Sequence, residues 1–246
     1  MPPLSAPLAA LLLVVLQALT GCGAGGGAGG GAVVSGSSPA SSGPPSGGPS
    51  SSPEPVPTAT AESSSAAPEV PHTDGRPRRA VLSIPRLGMT DLPVEPYRGW
   101  TDDAPGTEIQ DGGVAASPFG PRGGTGPGGI GNYQVTAHRL SSTQAFLELP
   151  RLRAGDLVHV DVGSRRLTYE VTRTRITSFR EPASLRAQRA AVPGRPGVEA
   201  TRAMITLSTC RTPEDRAEGN TWSDRFGNPE HRIDKIGVLR SIERRP

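Results

Sequence analysis

The chain has 246 residues, with 32 glycines, 27 prolines and only nine aromatic side chains, so one ordered domain is the most its apolar material supports. Its two cysteines, Cys22 and Cys210, exclude a disulfide framework and a four-cysteine zinc site, and its four histidines show no HExxH spacing. The net charge is +3, and residues 78–246 carry 24 arginines, one lysine and 19 acids that alternate in sign, a solvated surface and no nucleic-acid face.

Residues 8–19 form an apolar run of signal-peptide length, too short to span a bilayer comfortably. Leu19-Thr20-Gly21-Cys22 follows and resembles a bacterial lipobox, which makes residues 1–21 a lipoprotein-type signal peptide and Cys22 the lipid-bearing first residue of the mature chain. A plain export signal is the alternative. Either places the domain outside the cytoplasmic membrane, lipid-anchored or secreted.

From residue 23 to 77, 42 of 55 positions are Gly, Ala, Ser or Pro and none is aromatic, so residues 22–77 cannot offset their chain entropy by burial and read as a tether. Its root-mean-square reach is roughly 40 Å for a flexible chain of this length.

Residues 78–246 alternate short apolar runs with turn clusters and read as one β-rich domain. Nine strand candidates fall at 79–85, 92–95, 113–117, 132–138, 156–162, 166–172, 175–177, 204–208 and 234–242, a spacing that suggests a barrel or sandwich. The pair 156–162 and 166–172, joined across Gly163-Ser164, is the clearest hairpin. Short helices are expected at 142–149 and 182–190, and the glycine-rich stretch 120–131 is expected to be an exposed loop.

Two reactive side chains end two of these strands. His138 closes Asn132-Tyr-Gln-Val-Thr-Ala-His138, and Cys210 closes Met204-Ile-Thr-Leu-Ser-Thr-Cys210. Strand ends on one barrel rim can bring them together, with the histidine supplying charge and a proton shuttle to a nucleophilic thiolate. An arginine would stabilise the oxyanion of an acyl-transfer step, and Arg232, just before the final strand, is the natural choice; Arg225 and Arg216 are second and third. His159 is expected to face solvent and His231 to be uninvolved. Trp222 and Phe226 either cover the groove or pack in a small cluster.

Thr206-Leu-Ser-Thr-Cys210 resembles the TLxTC signature of sortases, and Gly131-Asn132 through His138 resembles the family's histidine segment. Arg79–Met89, Pro93-Val94-Glu95 and Phe146–Asp156 are similar to further family segments of an actinobacterial, class E/F-like kind. The resemblance covers residues 78–246 and implies an all-β fold with short helices, a closed eight-stranded barrel. It further implies a cysteine transpeptidase that cleaves a C-terminal LPxTG- or LAxTG-type sorting signal between Thr and Gly.

Carried over by motif, Cys210 is the nucleophile, His138 the general acid and base, Arg232 the site arginine, and Thr209 a substrate contact through hydroxyl or backbone. The implied partners are secreted proteins bearing sorting signals and an amine of peptidoglycan or its precursor. No cofactor is implied, and no motif supports a calcium site. The rivals are an L,D-transpeptidase-like enzyme, whose signature has Gly and not Thr209 before the cysteine, and a catalytically silent barrel that serves as a binding module.

Overall fold

The computed structural model describes residues 70–245. The apolar run at 8–19, Cys22 and most of the proposed tether lie outside the described residues. No helix among the described residues is long and apolar enough to cross a membrane.

Eight strands close a barrel: β1 (Ala80–Ile84), β2 (Met89–Arg98), β3 (Ala115–Phe119), β4 (Gly131–Thr136), β5 (Leu157–Val162), β6 (Arg165–Ser178), β7 (Ala203–Cys210) and β8 (His231–Arg244). Their order around the barrel is β1-β2-β3-β4-β7-β8-β6-β5. The pairs β2–β3 and β4–β7 are parallel and the rest antiparallel. Helix α1 (Ala104–Asp111) bridges β2 and β3, α2 (Pro182–Arg189) lies between β6 and β7, and α3 (Thr212–Ala217) follows β7.

Period-two alternation decides what each face carries. Tyr133, Val135 and Ala137 join Ala203, Ile205 and Leu207 in the barrel core, with Leu82, Ile84, Val158, Val160, Leu167 and Tyr169 from the other strands. The opposite faces of β4 and β7 carry Asn132, Gln134, Thr136, Thr206 and Ser208, all buried although they lie outside the apolar core.

The eight-stranded barrel agrees with the expectation; its details differ in four places. The runs 166–172 and 175–177 are one strand, β6, paired with β8 from Arg165↔Arg244 to Ser178↔His231 and interrupted by register shifts at Thr168/Tyr169 and Val171/Arg173. An irregularity of this kind breaks the apolar alternation without ending the strand.

The helix expected at 142–149 does not form. Ser142 and Gln144 take left-handed backbone (φ 53° and 54°), and only a 3-10 turn at Leu149–Arg151 follows. Helices α1 and α3 were not anticipated. Asp103 caps α1 by accepting from the Gly106 amide at 3.0 Å, with Pro105 in the first turn, and α3 has Pro213, Glu214 and Asp215 in its own.

The loop expected to be exposed at 120–131 is half buried, from Gly126 through Gly129. The chain entering the barrel lies across it: the Thr73 amide donates to the Gly128 carbonyl and the Gly126 amide to the Gly75 carbonyl, both at 2.8 Å. Contacts with the barrel therefore reach back ahead of Arg78.

Candidate active site

Because β4 and β7 run parallel, with Gly131↔Ala203 through Thr136↔Ser208 in register, their C-terminal ends reach the same rim. His138 lies two residues beyond β4, and Cys210 is the last residue of β7. Both line a cavity of about 160 Å³, with Thr107, Asp111, Phe226 and Asn228. Strand β8 runs antiparallel to β7 and sets Arg232 directly opposite Cys210. Facing residues in such a pair have Cβ atoms about 4.5–5.5 Å apart, so thiol and guanidinium are neighbours by register alone.

Arg232 is only 1% exposed. Its Nε donates to Asp102 Oδ2 at 3.2 Å and one Nη to the Pro229 carbonyl at 3.0 Å, while the guanidinium carbon stands 4.1 Å from the centre of the Phe179 ring. The other Nη is buried with no hydrogen-bond partner. A donor left in that condition costs about 1–3 kcal/mol, which makes it a place where an incoming acceptor is stabilised. Arg225 is exposed over the Phe226 ring, 4.6 Å from its centre, and Arg216 is exposed on α3. Of the three arginines weighed on sequence, Arg232 is the one that β8 pairs with Cys210.

Burial pushes the Cys210 thiol above its ordinary range; Arg232 and Arg139 pull it down, and Asp102 and Asp224 push it up again. His138 is positioned from the far side. Its Nε2 lies 2.8 Å from Oδ1 of Asp111, at the last turn of α1, which leaves Nδ1 for other partners. The side chain of Asp111 is 64% exposed, so the pair fixes orientation more than it adds stability. The His138 carbonyl accepts from the Phe146 amide at 2.9 Å.

Thr209 faces away from Cys210 by alternation, and its hydroxyl donates to the Ala137 carbonyl at 2.8 Å. That bond ties the end of β7 to the residue before His138. Of the two ways in which Thr209 was expected to meet a substrate, the hydroxyl is engaged as a tie between the two strand ends, which leaves the backbone. Arg139 donates to the Cys210 carbonyl at 3.3 Å and to both carboxylate oxygens of Glu214, whose pKa that contact lowers.

Behind the nucleophile, Asp234 is fully buried and accepts from Ser208 Oγ at 2.7 Å, Gln188 Nε2 at 2.9 Å and Thr177 Oγ1 at 2.5 Å. Burial raises its pKa and these donors oppose the rise. Through Gln188, α2 is pinned to the outer face of β7 and β8.

Three residues of this arrangement escaped the sequence reading. Asp111 and Asp102 lie in the stretch 101–112, where the Asp103-Ala-Pro105 cap signal would have revealed a helix and so placed Asp111 at its end. Arg139 adjoins His138, and nothing in the motif separates its role from that of the histidine. Asp102 has a left-handed backbone (φ 58°) that no sequence signal marks. His159 is part-buried with Nδ1 3.1 Å from the Thr168 hydroxyl, and His231 is 3.0 Å from Asp215, so each has a local partner. Phe226 lines the Cys210 cavity, whereas Trp222 packs near Arg180. Among the described residues no group of three or more His, Cys, Asp or Glu side chains is placed to hold a metal ion.

A family model described as the sortase domain matches residues 82–226. No curated protein matches the chain. Among solved structures, the sortase SrtA of Actinomyces oris is 20% identical, covering 73% of this chain and 89% of that one with a TM-score of 0.52. Sortase E1 of Streptomyces coelicolor, solved with a tripeptide in the active site, is 18% identical over 70% of this chain and 93% of that one, with a TM-score of 0.50. At these identities the likeness is one of fold.

Proposed function

Because the chain belongs to the sortase family, a family of cysteine transpeptidases, we propose that it cleaves a C-terminal LPxTG- or LAxTG-type sorting signal between Thr and Gly and transfers the acyl part to a cell-wall amine. The observation that carries this reading is the cross-strand pair of Cys210 and Arg232, with one buried guanidinium nitrogen unpaired and with His138 lining the same cavity as Cys210.

The thiolate of Cys210 attacks the Thr carbonyl, forming the C–S bond and moving the carbonyl electrons onto oxygen. The free Nη of Arg232 is the donor for that oxyanion. When the tetrahedral intermediate collapses, the C–N bond breaks and His138 gives its proton to the departing Gly amine. The thioacyl enzyme then accepts an amine of peptidoglycan or its precursor, whose proton passes to His138 as the C–S bond breaks; water is the fallback acceptor. Asp111 orients the imidazole, and Thr209 acts by tying the two strand ends together.

The same proposal sets the enzyme, of an actinobacterial class E/F-like kind, on the extracytoplasmic face of the membrane, held by a diacylglyceryl group on Cys22 and acting on secreted proteins. Two acyl chains anchor stably where one does not. Palmitate labelling of the full chain, lost in Cys22→Ala, checks this part; an unlabelled wild-type chain sinks it.

The reaction itself is tested by incubating the purified protein with LPxTG and LAxTG peptides and weighing it. A thioacyl adduct on Cys210, absent in Cys210→Ala, is expected. Failure to form it with either peptide would favour a barrel that binds without reacting.

A further inference from the structure

A second cavity, of about 490 Å³, opens between α2 and the loop after β3. Its walls are apolar at Pro121, Leu185 and Pro196, and three arginines line it: Arg122, Arg186 and Arg189. No acidic residue lines it. Three guanidinium groups around one concavity repel one another, and an anionic occupant relieves that repulsion while the apolar walls take its aliphatic atoms.

Two of the arginines are held in position and are joined to the active site, while Arg186 stands exposed on α2. The Arg122 guanidinium stacks on Trp100, 3.6 Å from the ring centre. Arg189 donates through Nε to the Thr101 hydroxyl at 3.1 Å and through an Nη to the Thr101 carbonyl at 3.3 Å. The next residue, Asp102, holds Arg232 opposite the nucleophile. The groove shares no lining residue with the His138–Cys210 cavity and meets the site through the two-residue bridge of Thr101 and Asp102.

The chemistry decides which part of a substrate lies on which side. The leaving amine takes a proton from His138 and the incoming amine gives one to it, so both amines occupy the His138 cavity. The acyl chain leads away from that cavity, and the arginine-lined groove, which meets the site through Thr101 and Asp102, is the concave surface on that other side that offers it charge. We propose that the arginine-lined groove seats an acidic stretch of the donor polypeptide on the N-terminal side of the bond that Cys210 attacks. This rests on the transpeptidase reading and adds to it a charge preference in the substrate.

The test uses two fluorescent peptides with the same LAxTG motif, one preceded by a short run of aspartates and the other by lysines. Affinities are measured by anisotropy at low ionic strength with Cys210→Ala, which cannot turn over. Exposed charge pairs each contribute a few-fold, so the aspartate peptide should bind about tenfold more tightly, and salt should erode the difference. In the background of Arg122→Glu with Arg186→Glu the preference should reverse.

Equal affinities for the two peptides, immeasurable ones included, or a preference unchanged by the charge reversal would overturn the proposal. So would a charge dependence confined to an acidic amine acceptor. A retained aspartate preference with no thioacyl adduct on wild-type Cys210 would instead overturn the transpeptidase reading and leave the charge recognition standing.

Discussion

Burial raises the Cys210 thiol, the facing guanidinium lowers it, and Asp102, by pairing with that guanidinium, works against the thiolate. Because only the thiolate reacts and the net shift is upward, alkylation by iodoacetamide should keep accelerating above the ordinary thiol range near pH 8.5. Arg232→Gln removes an attraction and should move the midpoint of the rate–pH profile higher; Asp102→Asn removes a repulsion and should move it lower. A midpoint unmoved by both would show that the two charges do not reach the sulfur. Catalysis should depend on Arg232 more steeply. Loss of one oxyanion donor lowers kcat by roughly 100-fold, so Arg232→Ala should fall by about that factor with a smaller change in KM. Arg232→Lys should stay impaired, because an ammonium lacks the planar fork that reaches Asp102, Pro229 and the oxyanion together. Arg225→Ala, at an exposed position over Phe226, should remain near wild type. The reverse ranking in steady-state kinetics would move the site arginine into the loop.

At the scale of elements, Lys235 shows what a strand pattern does and does not reveal. Its position in the closing strand is readable from the run 234–242; its partners are not. The Nζ donates to the Pro150 carbonyl at 2.9 Å, the Leu152 carbonyl at 2.7 Å and the Thr174 hydroxyl at 2.9 Å, using all three protons. It thereby pins the turn after Phe146, the residue whose amide holds the His138 carbonyl. Lys235→Met keeps the aliphatic stem and deprives the acceptors of a donor, at about 1–3 kcal/mol for each buried group left unpaired. Urea unfolding should show at least about 2 kcal/mol of lost stability; a loss under about 0.5 kcal/mol would mean that water replaces the ammonium. Strands and the paired ends of His138 and Cys210 were legible because alternation and terminal position are local facts. Helix α1 was legible too, in its Asp103-Ala-Pro105 cap signal, whereas the absence of a helix at 142–149 is set by less visible terms. Ser142 donates to the Asp111 carbonyl and Thr143 to the Gly113 carbonyl, tertiary bonds that favour a winding loop over a helix.

Across the whole molecule, the least legible feature is the closure of the barrel's glycine-rich side. Composition alone makes both 120–131 and the approach to Arg78 look unstructured, yet here low side-chain volume serves close backbone approach. A Cβ added at Gly126 would lie 2.0 Å from the Arg76 carbonyl oxygen, and one at Gly129 2.5 Å from the Gly75 Cα. Backbone cannot yield as a flexible side chain does, so Gly126→Ala must displace the entering segment. That segment carries the Thr73 amide bond to Gly128, and the Gly128 amide in turn donates to the hydroxyl of the core residue Tyr169 at 2.7 Å. Hydrogen exchange should therefore show protected amides at Thr73, Gly126 and Gly128 in the wild type and loss of protection at all three in Gly126→Ala. Amides in the ladder between β4 and β7 should stay protected, because their pairing does not involve the entering chain. Gly219→Ala is the comparison: its φ is 80° and nothing lies within 4 Å of the added carbon. It should cost only the left-handed backbone strain of about 1–2 kcal/mol and leave the Thr73 amide protected. If Gly126→Ala behaves like Gly219→Ala, the entering segment is not seated on the glycine loop, and the barrel closes without it.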